Sequence, residues 1–337
     1  MLFCSAALTA RAWDYEGHRI VTELALSTLP ADFPAFTLSA GARERIAFLS
    51  GEPDRWRNTV DLPFRHANEP DHYIDLDDLP LFGLDPDSVS PFRYEFMAQL
   101  VQGRLARPTN FPPIDPLKNA DKTRELVGFL PWTITEWHAK LKSAFGYLRA
   151  FQEHGGTADE IANAQANVVY AMGVLSHFVA DAAQPLHTTK HYNGWVGPNP
   201  HGYTTNRSFH RWIDAGFIQK TGMRAQPLRS RLRPARVLAD PRWPGLSTNI
   251  FPAMMAYVQE TARLVEPLYR LEKARRLSSY ETPGSAGYEF IANRLVTAAQ
   301  WLGDLWLTAW QHAPPDPFLA RELDRRREAQ AQSAESR

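Results

Sequence analysis

Only one cysteine, Cys4, occurs in 337 residues, so no intramolecular disulfide can form and the fold must rest on its core. An excess of one charge is missing too: Lys+Arg and Asp+Glu are each 37, a formal net charge of zero. Bulk charge therefore does not hold this chain on nucleic acid or an anionic membrane, although a local phosphate site stays open. No run reaches the roughly 18–20 apolar residues of a membrane-spanning helix, and no stable membrane association is expected. Convincing period-two alternation and fixed-period repeats are also absent. Large side chains are abundant instead. Ten Trp and eighteen Phe, in a chain 44% hydrophobic and 22% charged, imply a packed core rather than disorder.

Residues 1–12 are short and mostly apolar, and they end in Ala10-Arg11-Ala12, which fits the small-x-small rule for signal-peptide cleavage. They lack a basic leading region and read as a truncated signal peptide. Cleavage would expose Trp13 and leave a cysteine-free protein that is secreted or periplasmic. Beyond Trp13 the apolar spacing is helical. Ile20, Val21, Leu24, Ala25 and Leu29 begin it, and Pro30 ends that run. Helices are predicted over 135–154, 158–183, 209–220, 251–275 and 286–312. Long loops are predicted over 50–92 and 188–209, an Arg- and Pro-rich connector over 224–250, and a polar, charged tail over 315–337. The expectation is all-α: a single multi-helix domain over 13–314 with long functional loops.

The sharpest pattern runs from Ser176 to His187. His177 and Asp181 are four apart, so a helix sets both on one face, and Pro185 ends that helix before His187. A second His-x3-Asp pair follows at His210 and Asp214. A lone pair of this spacing is an ordinary surface hydrogen bond, but two pairs with a histidine between them supply the nitrogen and oxygen ligands that suit zinc. Upstream lie Trp13 and His18, then Asp54 and Arg57, then His72-Tyr73-Ile74-Asp75.

In that order the pieces resemble the S1/P1 nuclease family, whose fold is shared with bacterial zinc-dependent phospholipase C. The resemblance rests on Trp-x4-His at 13 and 18, Asp54, His72 before an aromatic and Ile-Asp, His-x3-Asp-x5-His from 177, and His-x3-Asp from 210. It spans 13–214 together with the long helix after Ser285, and nothing in 224–250 or the tail contributes. It implies three Zn²⁺. One would bind Asp54, His72, His177 and Asp181. A neighbour would share Asp181 and bind His18 with the amino group and carbonyl of Trp13. The third would bind His187, His210 and Asp214. Three such ions against three ligand carboxylates leave about +3 in the pocket, a site for an anion such as phosphate.

The resemblance also implies the chemistry: hydrolysis of phosphodiester bonds in single-stranded DNA and RNA to 5′-nucleotides, with 3′-nucleotidase activity. Asp181 and Asp54 would serve the attacking water, Arg57 the phosphate, and Tyr73 and Asp75 the base, by stacking and by hydrogen bonding to an exocyclic amine. The substrates are then single-stranded nucleic acid or 3′-nucleotides, with no obligate protein partner. Phospholipase C is the rival. It resembles this arrangement with a shorter run between the third-zinc histidines and a Glu as last ligand; here His187 and His210 are 23 positions apart and the last ligand is Asp214. A non-catalytic zinc-stabilised binding protein would need closed metal sites. Two departures from the family concern loops and base specificity: its eukaryotic members carry disulfides, and Trp212 falls one position early.

The remaining histidines read more plainly. His66 is loop or ligand support, His191 and His201 belong to the 188–209 loop, and His138, His154 and His312 read as helix surface. Arg224, Arg229, Arg231, Arg233 and Arg236 form either a strand guide or a solvated connector. Trp301, Trp306 and Trp310 read as a core stripe.

Overall fold

The computed structural model describes residues 13–239 and 249–335, so the expected signal peptide over 1–12 lies outside the described residues. No β-strand occurs among the described residues; two isolated bridges, Ile74 with Gly128 and Tyr192 with Gly194, are the nearest approach. The fold is all-α. Helices α1 (Tyr15–Leu26), α2 (Ala40–Leu49), α3 (Glu52–Arg57), α4 (Leu62–Asn68) and α5 (Arg93–Ala106) form the first half. The long α6 (Leu130–Glu153) and α7 (Ala158–Asp181) follow, then short α8 (Phe209–Arg211), α9 (Phe217–Thr221) and α10 (Ala225–Leu228). The chain closes with α11 (Phe251–Ala262), α12 (Val265–Lys273), α13 (Ala286–Gln311) and α14 (Pro317–Glu335).

The core lies where α6 packs along α7, with α1 and α2 on one side and α13 across them. Thr157 starts α7 with a capping box closed by Glu160. Over its last two turns α7 is buried all round, from Val174 through Asp181, so the polar His177 and Asp181 are carried into the interior. Two glycines permit the close crossings. A Cβ on Gly173 would lie 2.4 Å from the Leu49 Cβ of α2, and one on Gly303 would lie 2.1 Å from the Thr28 Oγ1.

Several expectations need correction. The segment 50–92 is not plain loop, because Pro53, Pro63 and Pro70 sit at helix starts, where proline initiates a turn instead of breaking one. The helix expected over 251–275 divides at 263–264, because the ring of Pro267 opposes helical continuation four residues upstream. His138 is not surface: it is buried on the stripe of Ile134, Leu141, Phe145 and Leu148 that α6 turns to the core. The charged tail folds as α14, docked by the buried Leu323, by Arg326 on Glu160 at 2.8 Å and by His154 on Asp324 at 3.1 Å. The Trp stripe is core as expected, with Trp306 fully buried and Trp301 and Trp310 packed against it. Among the described residues no helix is long and apolar enough to cross a membrane.

Candidate metal centre

Two irregular segments run side by side beneath α7 and bring distant ligands together. The turn Pro185–His187 reverses the chain after α7, and the Ile74 amide donates to the His187 carbonyl at 2.9 Å. The His187 Nδ1 donates to the His72 carbonyl, so the neutral ring's lone pair is on Nε2, facing the site. His177 is oriented in the same way: its Nδ1 donates to the Ser50 carbonyl at 2.7 Å, which leaves the Nε2 lone pair pointing inward.

That Nε2 lies 2.9 Å from the His72 Nδ1 and 3.3 Å from the Asp181 Oδ2, and the His72 Nδ1 lies 3.0 Å from the same oxygen. The other Asp181 oxygen, Oδ1, faces the His18 Nε2 at 3.6 Å, with the His18 ring stacked on His177 at 4.0 Å. One carboxylate thus presents its two oxygens to two different sets of imidazoles. Asp54 joins His18 and His177 in a group whose ligand atoms lie within 4.8 Å of one another, and its Oδ1 meets the Arg57 Nε at 2.8 Å. Across the turn, the His210 Nε2 lies 2.8 Å from the Asp214 Oδ2 and 3.0 Å from the His187 Nε2. A π-turn, Trp212–Gly216, widens the helix between them, a distortion common at functional sites.

Among the described residues three groups could hold a metal ion: His18 with Asp54 and His177, His72 with His177 and Asp181, and His187 with His210 and Asp214. The donors themselves provide the test. Zinc bonds of 2.0–2.1 Å at tetrahedral angles set ligand atoms about 3.3 Å apart, and the separations above fall around that value. Lone pairs face lone pairs, which a cation satisfies and a single proton does not. The His18 Nε2 and the Asp181 Oδ1, which face each other at 3.6 Å, are both buried without a hydrogen-bond partner, an arrangement costly without a counter-ligand. The residues fit the ions.

Electrostatics agree. Burial holds His18 and His72 well below the ordinary histidine pKa, and burial with the Arg57 charge takes His210 to about 3. Burial lowers His187 as well. Burial would also lower His177, but Asp181, Asp54 and the Ser50 carbonyl outweigh it and raise the ring. Asp181 resists burial because His177 and His187 hold its carboxyl well below the usual range. Burial pushes Asp214 well above that range against the pull of His187, as expected of a carboxylate whose counter-charge is a cation. The centre is a set of largely neutral imidazoles around an anionic Asp181.

Trp13 is fully buried beside this group: its Nε1 donates to the Ala180 carbonyl at 3.0 Å, and the next amide, Asp14, donates to the Asp214 carbonyl at 3.2 Å. The state of its amino group depends on residues 1–12, outside the described part. Arg57 is buried, and its charge reaches both His72 and His210. Tyr73 and Asp75 follow His72 and are half-buried. Burial raises both groups well above their ordinary values, and after burial the Asp75 charge acts most strongly on Tyr73.

His66 joins no metal group; its Nδ1 is engaged with the Asp121 carbonyl at 2.8 Å. His191 stacks on Trp195 at 3.9 Å inside the 188–209 loop, and His201 packs near Tyr203. The connector arginines divide, since Arg231 is paired with Glu289 and Arg233 with Asp304, which takes two of the five away from any strand. Two partners escaped the sequence. Gln184, fully buried, donates to the Asp214 Oδ1 at 2.6 Å while its own oxygen accepts from the Leu186 amide at 2.7 Å. Tyr192, 43% exposed, stands edge-on to His210 at 6.0 Å. Gln184 lies inside the central motif and was open to notice; nothing near Tyr192 signalled its place.

No family model and no curated protein matches this chain. Among solved structures, a crystal structure of Clostridium perfringens alpha-toxin from avian strain SWCP is similar, with a TM-score of 0.37 and 12% identity. The match covers 90% of this chain and 65% of that chain, so this chain spans less than two thirds of its length.

Proposed function

We propose that this chain is a zinc-dependent phosphodiesterase of the S1/P1 nuclease kind, which hydrolyses single-stranded DNA and RNA to 5′-nucleotides and removes 3′-phosphates. The observation that carries the reading is the convergence of buried lone pairs on three adjoining groups, centred on Asp181 and on Asp214. Asp54, His72, His177 and Asp181 would hold one ion. Asp181 and His18 would hold its neighbour, with the amine and carbonyl of Trp13 in a chain processed before that residue. His187, His210 and Asp214 would hold the third. Bound there, the ions supply Lewis acidity, lowering the pKa of water and offsetting charge on phosphoryl oxygens.

The chain's own groups do the rest. Asp181 keeps its charge at neutral pH and ties two sites into one unit. Arg57 brings a guanidinium held by Asp54 to a phosphate oxygen, and the fixed pair needs little reorganisation when substrate arrives. Asp54 orients the attacking water and accepts its proton. Tyr73 offers a ring face to a base, and Asp75 hydrogen-bonds an exocyclic amine. The enzyme would act as a secreted or periplasmic protein with no obligate partner.

The test is metal analysis of purified protein by mass spectrometry, with parallel assays on single-stranded DNA, a 3′-nucleotide and phosphatidylcholine. The reading expects about three zincs per chain and turnover of the first two substrates. Turnover of phosphatidylcholine alone would transfer the site to a lipid head group, and full activity in metal-free protein would overturn both.

A further inference from the structure

The helix that carries Asp54 and Arg57 also carries Trp56, whose ring belongs to a separate aromatic cluster. Trp56 stacks on Trp137 of α6 at 6.4 Å with the ring planes 26° apart, and Trp137 meets Tyr170 of α7 at 6.0 Å. Both tryptophans are half-buried and Tyr170 is 40% exposed, so the three rings form a band at the surface. The Lys140 ammonium lies over the Trp137 ring at 4.2 Å. Lys140 is exposed and sits on the turn after Trp137, so its flexible stem can swing aside and uncover the ring while keeping a cation next to it.

We propose that Trp56, Trp137 and Tyr170 form a stacking platform for single-stranded nucleic acid, with Lys140 taking a backbone phosphate, so that a strand reaching the metal centre is held beyond the cleaved bond. The proposal rests on the phosphodiesterase reading for its orientation, because the six-residue α3 joins platform and centre. Each ring face accepts any base, which gives affinity without sequence preference. Charge agrees with a polyanion. Glu52 is paired with Arg55, while the exposed Lys140 lies over Trp137 and the exposed Arg45 acts on Tyr170. The connector arginines that could have guided a strand are partly spent on Glu289 and Asp304, so the aromatic face is the better-built path.

The experiment measures binding of phosphorothioate-linked oligothymidylates, two and ten nucleotides long, by fluorescence anisotropy at fixed salt on zinc-loaded protein. Wild type should bind the ten-mer at least tenfold tighter than the two-mer. Trp137→Ala and Tyr170→Ser should each shrink that length advantage about tenfold, the size expected for one lost stacked base. Lys140→Gln should shrink it less and flatten its salt dependence. Tyr170 and Lys140 are exposed, so those variants keep the test valid if Trp137→Ala fails to fold. An undiminished length advantage in Tyr170→Ser and Lys140→Gln, or none in wild type, overturns the platform. Hydrolysis of the unmodified phosphodiester two-mer, assayed separately, without a length advantage in binding would retain the nuclease reading and reject the platform. A platform-dependent advantage without any hydrolysis would do the reverse.

Discussion

Asp181 has no exposed surface and offers one oxygen to His72 and His177 and the other to His18. Asparagine would keep the shape but lose the charge and one acceptor, so Asp181→Asn should empty two sites together. His210 serves only the group with His187 and Asp214, and His210→Ala should release about one zinc while the other two stay. Metal counting after gel filtration reads both, and hydrolysis should collapse in each. Unchanged zinc in the Asp181 variant would remove its bridging role. Tyr73→Ala should weaken a nucleotide substrate more than a base-free phosphodiester, by about 1–3 kcal/mol for one lost stack. Equal losses in kcat/KM on the two would make Tyr73 a packing residue. The ligands were legible in the sequence because four-residue spacing fixes His177 with Asp181 on one helix face. The Ser50 carbonyl was not, because its role depends on where a turn sets a neighbouring backbone; Gln184, inside the same motif, was open to notice.

Elements were readable wherever apolar spacing was dense, as in α7 and α13, and misread where proline or charge did the work. Pro53, Pro63 and Pro70 start short helices that a composition rich in Pro and Asp disguises as loop. In α14 a single apolar side chain, Leu323, is buried; ion pairs to Glu160 and His154 do the docking, and no periodicity announces them. The π-turn between His210 and Asp214 leaves no mark in the residue types. His138 could have been placed correctly, since it continues the buried stripe of α6. Burial, then the charge of Lys142, lowers its pKa to about 3, whereas the unfolded chain titrates near 6.5. Below 6.5 the unfolded state takes up a proton that the folded state refuses, so folding stability falls with pH down to about 3. His138→Leu should remove one proton's share of that slope, up to about 1.4 kcal/mol per pH unit between pH 6 and pH 4. Urea unfolding of both proteins at several pH values measures it, and parallel slopes would mean that His138 is charged in the fold.

At the scale of the molecule, a formally neutral chain concentrates buried donors at one end of a core that does not depend on them. The contact of α7 with α6, α1 and α2, and of α13 with α1 and α6, is apolar and lies mostly outside the metal groups. Metal-free protein should therefore remain helical, unlike small zinc domains whose fold is the metal site. It should nevertheless be less stable, because chelation returns the facing lone pairs of His72, His177 and Asp181, and those of His187, His210 and Asp214, to an uncompensated state. Zinc at a hundred times its dissociation constant contributes about 2.7 kcal/mol per site. Three sites give roughly 8 kcal/mol, and at about 2 °C per kcal/mol for a chain of this size the loss is near 15 °C in Tm. Dialysis against a chelator should leave the far-ultraviolet circular dichroism at 25 °C unchanged, lower Tm by that order and let added zinc restore it. In His210→Ala the drop should shrink by about a third, since one site is already gone. A Tm indifferent to chelation would show that the buried donors satisfy one another without a metal, and loss of helical signal would show that the core does not stand alone.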